Sequence, residues 1–431
     1  MGFAAKLNRR MKHDLEDIGG ALRGNMQVFA FRDVLLLTSQ GLNGGLSIIF
    51  TLTVLGASPL DIGLLGTVNA ISGISFLLIG GWAGDRYNRK NVFLLGTAIT
   101  TLNPLMYAFA PSWEYLFLVN ITQPIGDALA GPAGFSIRIS SVKIGSLTRA
   151  TASLYTIHAL TNMVVPPIGA ALVTLMGGLE YLRTIYIVEA CINLFAWLYT
   201  ARKLDVEQDK ERIPRNGHRT FSVNEFFSDL REVYLTSRKE GTWLFLLLAA
   251  TSPWVFNVDG NFQTVFVDRI CLSPLIVIGF LPSVSALVSA LLYMPIANLA
   301  EKRGRMNAVI MIRPLQYAGY ILFILAGTFF IPGFTPYFPL LVWGLRSAGG
   351  VGGPGWEVAS IEHMPREKLS TWQSLQNLIS RLVGIPAPLV GGLLWNIDPR
   401  APFLWHLSVD ALFRYSIMRK IAKTQANLVR R

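Results

Sequence analysis

Long apolar runs alternate with short polar segments along the whole chain. Each run holds about 20 residues rich in Leu, Ile, Val, Phe and Ala with few charges, which is the length of helix that crosses the hydrocarbon core of a bilayer. The twelve runs cover approximately residues 33–56, 61–83, 91–110, 114–137, 150–176, 184–201, 243–267, 274–298, 307–331, 336–360, 370–395 and 401–418. This pattern predicts an all-α integral membrane protein with twelve transmembrane helices.

One longer polar segment divides the runs into two sets of six. It contains the sequence DVEQDKERIPRNGHR, which is too charged to enter a bilayer. Ser222 and Glu225 have the spacing of a capping box, and apolar positions from Val223 onward recur at helical spacing, so an interfacial helix is predicted in this cytoplasmic linker. The predicted parts are an N-terminal segment, a first bundle, the linker, a second bundle and a basic tail, at residues 1–31, 32–201, 202–241, 242–418 and 419–431.

The composition agrees with a membrane protein, because 52% of the residues are apolar and only 15% are charged. The formal net charge of +12 arises from basic residues spread over short loops rather than from a basic domain, so no nucleic-acid partner is expected. Placing the N-terminus inside puts about 31 of the 38 Lys and Arg residues on the cytoplasmic side. We therefore predict a multi-pass protein of the cell membrane with both termini and the linker in the cytoplasm.

The chain carries no sequence motif of an enzyme. Its two cysteines, Cys191 and Cys271, define neither a disulfide framework nor a zinc site. It also lacks a phosphate-binding loop, a cluster with metal-ligand spacing and a nucleophile motif, and the linker is too short for a catalytic domain. The sequence therefore predicts neither catalysis nor a cofactor or metal.

A charged loop occurs twice in the chain. The sequence GGWAGDRYNRK at residues 80–90 is matched by IANLAEKRGRM at residues 296–306. Further matches lie at offsets of about 215 to 222 residues. They pair Ser58 with Ser273, Asn43-Gly44 with Asp259-Gly260, Gly131-Pro132 with Gly353-Pro354, and Pro166 with Pro388. This repetition indicates an internal duplication, with two pseudo-symmetric six-helix bundles and a substrate site between them at mid-membrane depth.

The first charged loop resembles the signature of the major facilitator superfamily of secondary transporters, approximately G-x-x-x-D-R-x-G-R-R. The matching residues are Gly81, Asp85, Arg86, Arg89 and Lys90. Asn88 stands in place of a glycine and is expected to preserve the turn, because asparagine tolerates a left-handed backbone. The resemblance covers nearly the whole chain. It implies that the first, fourth, seventh and tenth runs line a central cavity that opens alternately to the two sides of the membrane.

The resemblance also implies a conformational latch in this loop. An acid beside the N-terminus of a neighbouring helix is stabilised by the helix dipole only while the two remain close. In the family that neighbour is the eleventh helix, which would begin near Ser370 here, so Asp85 is expected to stabilise the outward-facing state. Glu301 and Arg305 are the corresponding candidates in the second loop. The alternative is that the cations of both loops only follow the positive-inside rule.

Ionisable residues inside a membrane are costly, so each is a candidate for function. Asp127 lies near the centre of the fourth run, in QPIGDALAGPAG, and is the first candidate for proton binding, with pairing to Arg346 or Arg381 as the alternative. Asp259 in the seventh run is the second candidate and is expected nearer the outer side. His158 is the third, although a hydrogen bond to a neighbouring helix would also explain it.

Two arginines, Arg346 and Arg381, lie deep in the tenth and eleventh runs. A guanidinium at that depth must be paired or must meet an anionic ligand, so the two are predicted to clamp an anionic solute. Asp410 and Arg414, four residues apart in the last run, are expected to pair with each other. Further candidates for substrate binding are Asn43, Gln123, Asn162, Asn257, Asn261, Gln376 and Asn377.

These features predict a secondary active transporter that moves a small organic solute by alternating access and works as a monomer among membrane lipids. Coupling to protons through Asp127 or Asp259 is expected, with another ion as the alternative. Pro166 and Gly169 resemble part of the antiporter signature of the superfamily, which slightly favours export of a lipophilic or drug-like compound. Uptake or exchange of an anionic solute bound by the core arginines is the alternative. A receptor or scaffold that transports nothing is the alternative of another class.

Overall fold

The structure, a computed structural model, describes residues 24–86, 88–141, 144–205, 223–239, 242–351, 356, 359–360 and 369–429. Every regular element in these ranges is helical, and none is a strand. The helices before the linker are α1 (Asn25–Asn43), α2 (Leu46–Thr53), α3 (Pro59–Arg86), α4 (Arg89–Thr101), α5 (Asn103–Phe109), α6 (Leu116–Ser140), α7 (Ile144–Met176) and α8 (Leu182–Lys203).

The linker contains α9 (Val223–Lys239), and the remaining helices follow it. They are α10 (Leu244–Asp259), α11 (Phe262–Arg269), α12 (Leu275–Arg303), α13 (Arg305–Ala326), α14 (Phe338–Gly350), α15 (Leu369–Gly384), α16 (Ala387–Ile397), α17 (Ala401–Ser408) and α18 (Tyr415–Val429). A π-helical turn, Val409–Arg414, joins α17 to α18.

The predicted apolar runs coincide with these helices, since each run falls on one helix or on consecutive helical segments. Within the described ranges, seven helical segments are long and apolar enough to cross a membrane. They are Pro59–Phe76, Arg89–Phe109, Ile157–Met176, Leu179–Lys203, Leu275–Leu292, Arg305–Ala326 and Leu375–Ile397. The bent pair α1 and α2, at an angle of 42°, would make an eighth. The fold is thus that of a multi-pass membrane protein, and the number of twelve spans stays a prediction.

The predicted linker helix is present as α9. Its first predicted residue, Val223, is the first residue of the helix, whereas Ser222 of the predicted capping box lies outside the described residues. Leu230 and Val233 are buried in a hydrophobic cluster with Trp372 of α15. The linker helix is therefore anchored to the second half of the chain.

The first predicted run of each half is broken at the same place in the repeat. Helix α1 ends at Asn43, and the next two residues, Gly44 and Gly45, have φ angles of 51° and 86°, which favour glycine. Helix α10 ends at Asp259 before Gly260. The Asn43-Gly44 and Asp259-Gly260 pairs matched in the sequence thus occupy equivalent helix breaks.

Two glycines pack against these breaks. A Cβ atom at Gly169 of α7 would overlap the backbone carbonyl of Leu42, and one at Gly391 of α16 would overlap that of Val258. Leu42 and Val258 are each the residue directly before the last residue of the broken helix. The same backbone contact therefore recurs in both halves, as an internal duplication requires.

The two halves of the chain meet mainly through two helix pairs, α3 with α16 and α7 with α12. A Cβ atom at Gly63 would lie 2.7 Å from the carbonyl oxygen of Pro388, so only a glycine permits this approach. The Ser283 hydroxyl donates a hydrogen bond of 2.5 Å to the Met163 carbonyl in the second pair. These contacts lie near the end of the molecule away from the charged loop, which is the side predicted to face outward.

Candidate functional site

A cavity of about 750 Å³ lies between the two halves and is hereafter called the central cavity. It is bounded by α2, α3, α5 and α6 from the first half and by α10, α15 and the start of α16 from the second. Its polar lining residues are Ser47, Thr51, Asn69, Tyr107, Asn120, Asp127, Asn257, Asn261, Ser380 and Arg381. The cavity is thus wide enough for a small organic molecule and rich in hydrogen-bonding groups.

The lining differs from the one that the family resemblance implied. The first, fourth and seventh runs contribute as expected, but no described residue of the tenth run lines the central cavity. The main part of the tenth run is α14, which packs against α12 and α13. Its place is taken by Ser380, Arg381 and Gly384 of α15 in the eleventh run.

Asp127 and Arg381 face the central cavity from opposite halves. The Gln123 amide donates to both carboxylate oxygens of Asp127, at 3.2 and 3.1 Å. Among the ion pairs of the described residues there is none between Asp127 and either Arg381 or Arg346, so the expected alternative of a structural pair is not observed. One carboxylate and one guanidinium are therefore both available to a ligand.

A glycine makes room for the Arg381 side chain. A Cβ atom at Gly73 of α3 would lie 2.8 Å from Nη1 of Arg381. The sequence analysis did not single out Gly73 or the neighbouring Asn69. The only sequence feature that could have indicated these two cavity residues is a glycine one helical turn after an asparagine in an apolar run.

Arg346 is not part of the central cavity. Its guanidinium carbon lies 4.2 Å from the centre of the Trp343 ring and 5.7 Å from that of Tyr320, and its Nη1 atom has no hydrogen-bond partner in the described residues. The structure therefore does not bring Arg346 and Arg381 together as the predicted clamp. The reason is that α14 turns Arg346 toward α13 rather than toward α15.

A second cavity, of about 400 Å³, lies inside the first half of the chain and is hereafter called the side cavity. It is lined by residues of α1, α2, α3, α4, α5, α6 and α8. Five residues line both cavities, namely Ser47, Asn69, Tyr107, Asn120 and Asp127. The two spaces therefore share a polar wall.

Several candidates from the sequence meet in the side cavity. The Asn43 amide donates to Oε1 of Glu189 at 3.0 Å. Asn103 donates to the Gln123 carbonyl oxygen, and Gln123 donates to Asp127. A chain of hydrogen bonds thus connects the wall of the side cavity to the carboxylate at the central cavity.

Asp259 is completely buried in the second half and lines neither cavity. Its Oδ2 atom accepts hydrogen bonds from Tyr320 at 2.8 Å and from Gln263 at 2.9 Å, and Nδ1 of His406 lies 3.2 Å away. Asp259 thus joins α10 to α13 and α17, and its expected position nearer the outer side stays a prediction. His406 was not predicted, because nothing local in the sequence links it to a residue about 147 positions earlier.

The predicted pair of Asp410 and Arg414 is confirmed. Nε of Arg414 lies 2.9 Å from Oδ1 of Asp410, within the π-helical turn. The other carboxylate oxygen accepts from Nη1 of Arg313 at 2.8 Å and from the Tyr317 hydroxyl at 3.0 Å. This cluster is fully buried, so two guanidinium groups and one carboxylate hold three helical segments together.

His158 lies beside an acid that the sequence analysis did not single out. Its Nε2 atom is 3.1 Å from Oδ2 of Asp33, whose other oxygen is 3.0 Å from Nη1 of Arg32. The contact joins α7 to α1, which agrees with the alternative that His158 bonds to a neighbouring helix. Asn162, Gln376 and Asn377 line neither of the two cavities.

The loop residues that the structure describes have structural contacts. Asn88 has a φ angle of −59°, so the expected left-handed backbone is wrong, and its side chain instead accepts a hydrogen bond from the Lys90 backbone at the start of α4. The Lys90 ammonium donates to the Leu204 carbonyl at 2.6 Å. Arg89 and Arg305 begin α4 and α13. The side chains of the other latch candidates, Gly81, Asp85, Arg86 and Glu301, lie outside the described ones, and the latch stays a prediction.

A family model described as the Major Facilitator Superfamily matches residues 34–388. Two curated relatives, from Mycobacterium tuberculosis strains CDC 1551 / Oshkosh and ATCC 25618 / H37Rv, are both described as the uncharacterized MFS-type transporter EfpA. Each is 28% identical over 138 residues, which are 32% of this chain and 25% of the relative. The match thus spans a quarter of the length of these relatives.

Solved transporter structures share the fold. The nucleoside transporter NupG is 13% identical, with 93% of this chain and 98% of that chain covered and a TM-score of 0.64. A bacterial homologue of the iron transporter ferroportin, in an inward-facing state, is 14% identical, with 92% and 98% covered and a TM-score of 0.69. A peptide transporter POT in complex with sulfate is 15% identical, with 94% and 97% covered and a TM-score of 0.68. Identities this low establish the likeness of fold and nothing about the substrate.

Proposed function

Since the chain belongs to the major facilitator superfamily of membrane transporters, we propose that it moves a polar organic solute with an anionic group through the central cavity by alternating access. The observation that carries this proposal is the pair of unpaired charges at the cavity, Asp127 from one half and Arg381 from the other. A solute bound between the two halves would become accessible from one side of the membrane or from the other as the halves move relative to each other.

The proposed architecture is the full predicted one, with twelve spans in two six-helix bundles at residues 32–201 and 242–418. Both termini and the linker are in the cytoplasm of a cell-membrane protein that works as a monomer. The distribution of basic residues supports the orientation. The contacts of α3 with α16 and of α7 with α12, near the predicted outer end, are those expected of a state closed to the outside.

Arg381 supplies the chemistry for an anionic group. A guanidinium donates two parallel hydrogen bonds to a carboxylate or phosphate, and it keeps its charge at any working pH. Asn257 and Asn261 offer amide hydrogen bonds from the same half, and Asn69 and Asn120 offer them from the other. A lipophilic solute would leave these buried polar groups without partners, which is unfavourable. The polar lining of the central cavity therefore favours an anionic solute over a lipophilic one as the substrate.

The predicted preference for export rested on Pro166 and Gly169, and the structure gives both residues packing contacts. Gly169 lies against the break after α1, and the Pro166 carbonyl oxygen lies against Gly279 of α12. The segment therefore has a packing role in either direction of transport.

Asp127 is the proposed proton carrier. Gln123 fixes its orientation, and it lines both cavities. A carboxylate at a water-accessible cavity inside a membrane exchanges protons with whichever side the cavity faces. Proton movement can then be coupled to the movement of the solute.

Uptake into proteoliposomes tests this proposal. A panel of anionic, neutral and cationic organic solutes is offered under an imposed pH gradient, and an anionic solute is expected to accumulate. Arg381→Ala should raise the KM for that solute by about 10- to 100-fold, because a hydrogen-bonded charge pair is lost. Arg400→Ala, which changes an arginine of a loop outside both cavities, is the matched control and should leave KM unchanged.

In the same assay, Asp127→Asn should remove the response of uptake to the pH gradient while leaving exchange of solute for solute. Absence of flux for every solute under every gradient would exclude transport. An equal KM for the wild-type and Arg381→Ala proteins would remove Arg381 from the site, and an unchanged pH response of Asp127→Asn would remove Asp127 from coupling.

A further inference from the structure

The side cavity has the features of an ion site that is separate from the central cavity. We propose that it binds a monovalent metal cation of the size of Na⁺, with the Glu189 carboxylate as the charged ligand and oxygens of Tyr186 and Asn193 as neutral ligands. The proposal deepens the proposed function, since the cation would be a coupling ion for the solute in the central cavity.

Glu189 is a buried acid without a cation. It is 3% exposed, and no ion pair involves it in the described part of the chain. Arg32 lines the same cavity but is paired with Asp33. The described hydrogen bonds to the Glu189 carboxylate come from Asn43, which carries no charge. An enclosed carboxylate without a counter-charge is costly, so a cation beside it stabilises the fold.

Three oxygen-bearing side chains lie on one face of α8. Tyr186, Glu189 and Asn193 are spaced by three and four residues, which places them in one row along the helix. The Tyr186 hydroxyl and the Asn193 carbonyl oxygen are buried and have no hydrogen-bond partner among the described residues, although both residues line the side cavity. Buried polar atoms are normally satisfied, so two such atoms on residues that line the same cavity as an unpaired carboxylate indicate a missing ligand.

The C-terminal end of α1 contributes an electrostatic field that favours a cation in the side cavity. The helix stops at Asn43, and Gln40, Asn43 and Ser47 on either side of the break line the side cavity. The C-terminal end of a helix carries a partial negative charge, and interrupted helices in membrane transporters bind coupling ions at such ends. The field therefore favours a cation at this place.

The positions of the second half that correspond to the side cavity contain a built-in cation. At the repeat offset of 216 residues, Thr97 of the side cavity corresponds to Arg313. On the opposite helix, Asn193 corresponds at an offset of 217 to Asp410, which accepts a hydrogen bond from Arg313. The second half thus holds a built-in cation where the first half has a short threonine, an unpaired acid and a cavity.

The charge of the ligands selects a monovalent ion. Glu189 is the only acid on the α8 wall, and the other acid that lines the side cavity, Asp127, belongs to α6 and to the wall shared with the central cavity. Divalent cations are usually held by more than one carboxylate or keep several waters. One carboxylate with neutral oxygens instead balances a single positive charge.

Thermal unfolding of the purified full-length protein in detergent tests the site without requiring transport. Chloride salts are exchanged at constant ionic strength, with Na⁺ replacing choline, and the unfolding midpoint should rise with the Na⁺ concentration because the ion binds only the folded form. Glu189→Gln should abolish this rise. Glu180→Gln, an exposed acid just before α8, is the matched control and should keep it.

Tyr186→Phe gives an independent variant if Glu189→Gln fails to fold. It removes one oxygen but keeps the ring that stacks on Tyr107, and it should weaken the apparent Na⁺ affinity by about tenfold. A midpoint that does not respond to Na⁺ would overturn the proposal. So would an equal response in Glu189→Gln, a response to pH in place of Na⁺, or a response to Ca²⁺ at lower concentration than to Na⁺.

The coupling role is distinguished from the proposed solute function by Arg381→Ala. This variant should keep the Na⁺-dependent rise of the midpoint while losing affinity for the anionic solute. If Na⁺ binds but leaves solute uptake unchanged, the site is not the coupling site. If uptake of the anionic solute fails while Na⁺ still binds, the solute assignment is wrong and the ion site stands.

Discussion

At the residue scale, Asp410 is a buried charge with several hydrogen-bond partners. It accepts hydrogen bonds from Arg313, Arg414 and Tyr317 while being completely buried. Arg414 also donates to the Leu248 carbonyl and to the Ser252 hydroxyl of α10. Removing one partner from such a cluster leaves a buried charge uncompensated, which costs more than the pair itself contributes.

Asp410→Asn is therefore expected to destabilise the protein by about 3 to 5 kcal/mol, because two buried guanidinium groups lose their counter-charge. The measurement is the unfolding midpoint in detergent. Asp398→Asn is the matched control, since Asp398 pairs with Arg400 in a loop where both side chains are partly exposed. Its loss of stability should be much smaller, at most about 1 kcal/mol, because an exposed ion pair contributes little. A similar loss of stability in both variants would contradict the prediction that the buried Asp410 contributes more than the partly exposed Asp398.

The control pair, Asp398 with Arg400, has a pH dependence of its own. Hydrogen bonds from Arg400 lower the pKa of Asp398 to about 2, below its usual value near 3.9. A lowered pKa in the folded state contributes stability that is present above the usual value and is lost as the pH falls toward 2. The control pair therefore keeps its charge at every pH used for transport.

The sequence identified charged residues better than it identified their surroundings. Asp127 and Arg381 stood out because each is a charge in an apolar run, and both line the central cavity. Arg346 stood out for the same reason and faces Trp343 instead. In a membrane helix the lipid-facing and core-facing sides are both apolar, so the pattern gives the depth of a residue but not the direction of its side chain.

At the element scale, the duplicated contact between a glycine and a broken helix is the feature with the strictest geometry. Gly169 and Gly391 each lie against a backbone carbonyl, which cannot move aside as a flexible side chain would. Gly169→Ala and Gly391→Ala should each destabilise the fold by about 1 to 3 kcal/mol, because the helices must separate. The unfolding midpoint and the yield of folded protein measure this effect.

Gly131→Ala is the matched control for these substitutions. Gly131 is also inside a helix, α6, but nothing lies within 4 Å of the position of its Cβ atom. Alanine there should be neutral or should stabilise the helix by up to about 1 kcal/mol. A larger loss for Gly131→Ala than for the two packed glycines would contradict the contact.

The helix breaks themselves were only partly visible in the sequence. Asn43-Gly44 and Asp259-Gly260 were matched as repeats, yet the runs were predicted as continuous spans. The break in the first run requires two successive glycines with positive φ angles, at Gly44 and Gly45. Apolar length cannot reveal such a break, because a bent helix pair spans the same number of residues as a straight helix.

At the scale of the whole molecule, the duplication was predicted from short matches, and one backbone contact, at Gly169 and at Gly391, recurs in both halves. What the sequence could not give is the difference between the halves. In each half, the first and last runs are joined by a polar contact. In the first half the acid of this contact is Glu189, in the last run, whereas in the second half it is Asp259, in the first run of that half. Each acid meets a different partner, Asn43 or His406. Such exchanges leave no trace in a repeat search that scores identity.

The Arg313, Asp410 and Arg414 cluster has a mechanical consequence. It links helices of the second half to one another, whereas the corresponding part of the first half contains a cavity, so the second half should be the more rigid of the two. Amide hydrogen exchange measures this difference, and α13 should open less often than α4. Asp410→Asn should raise exchange in α13 and leave α4 as it was; equal rises in both would show that the stiffness is not local. The more flexible half would then be the one that contains the proposed ion site.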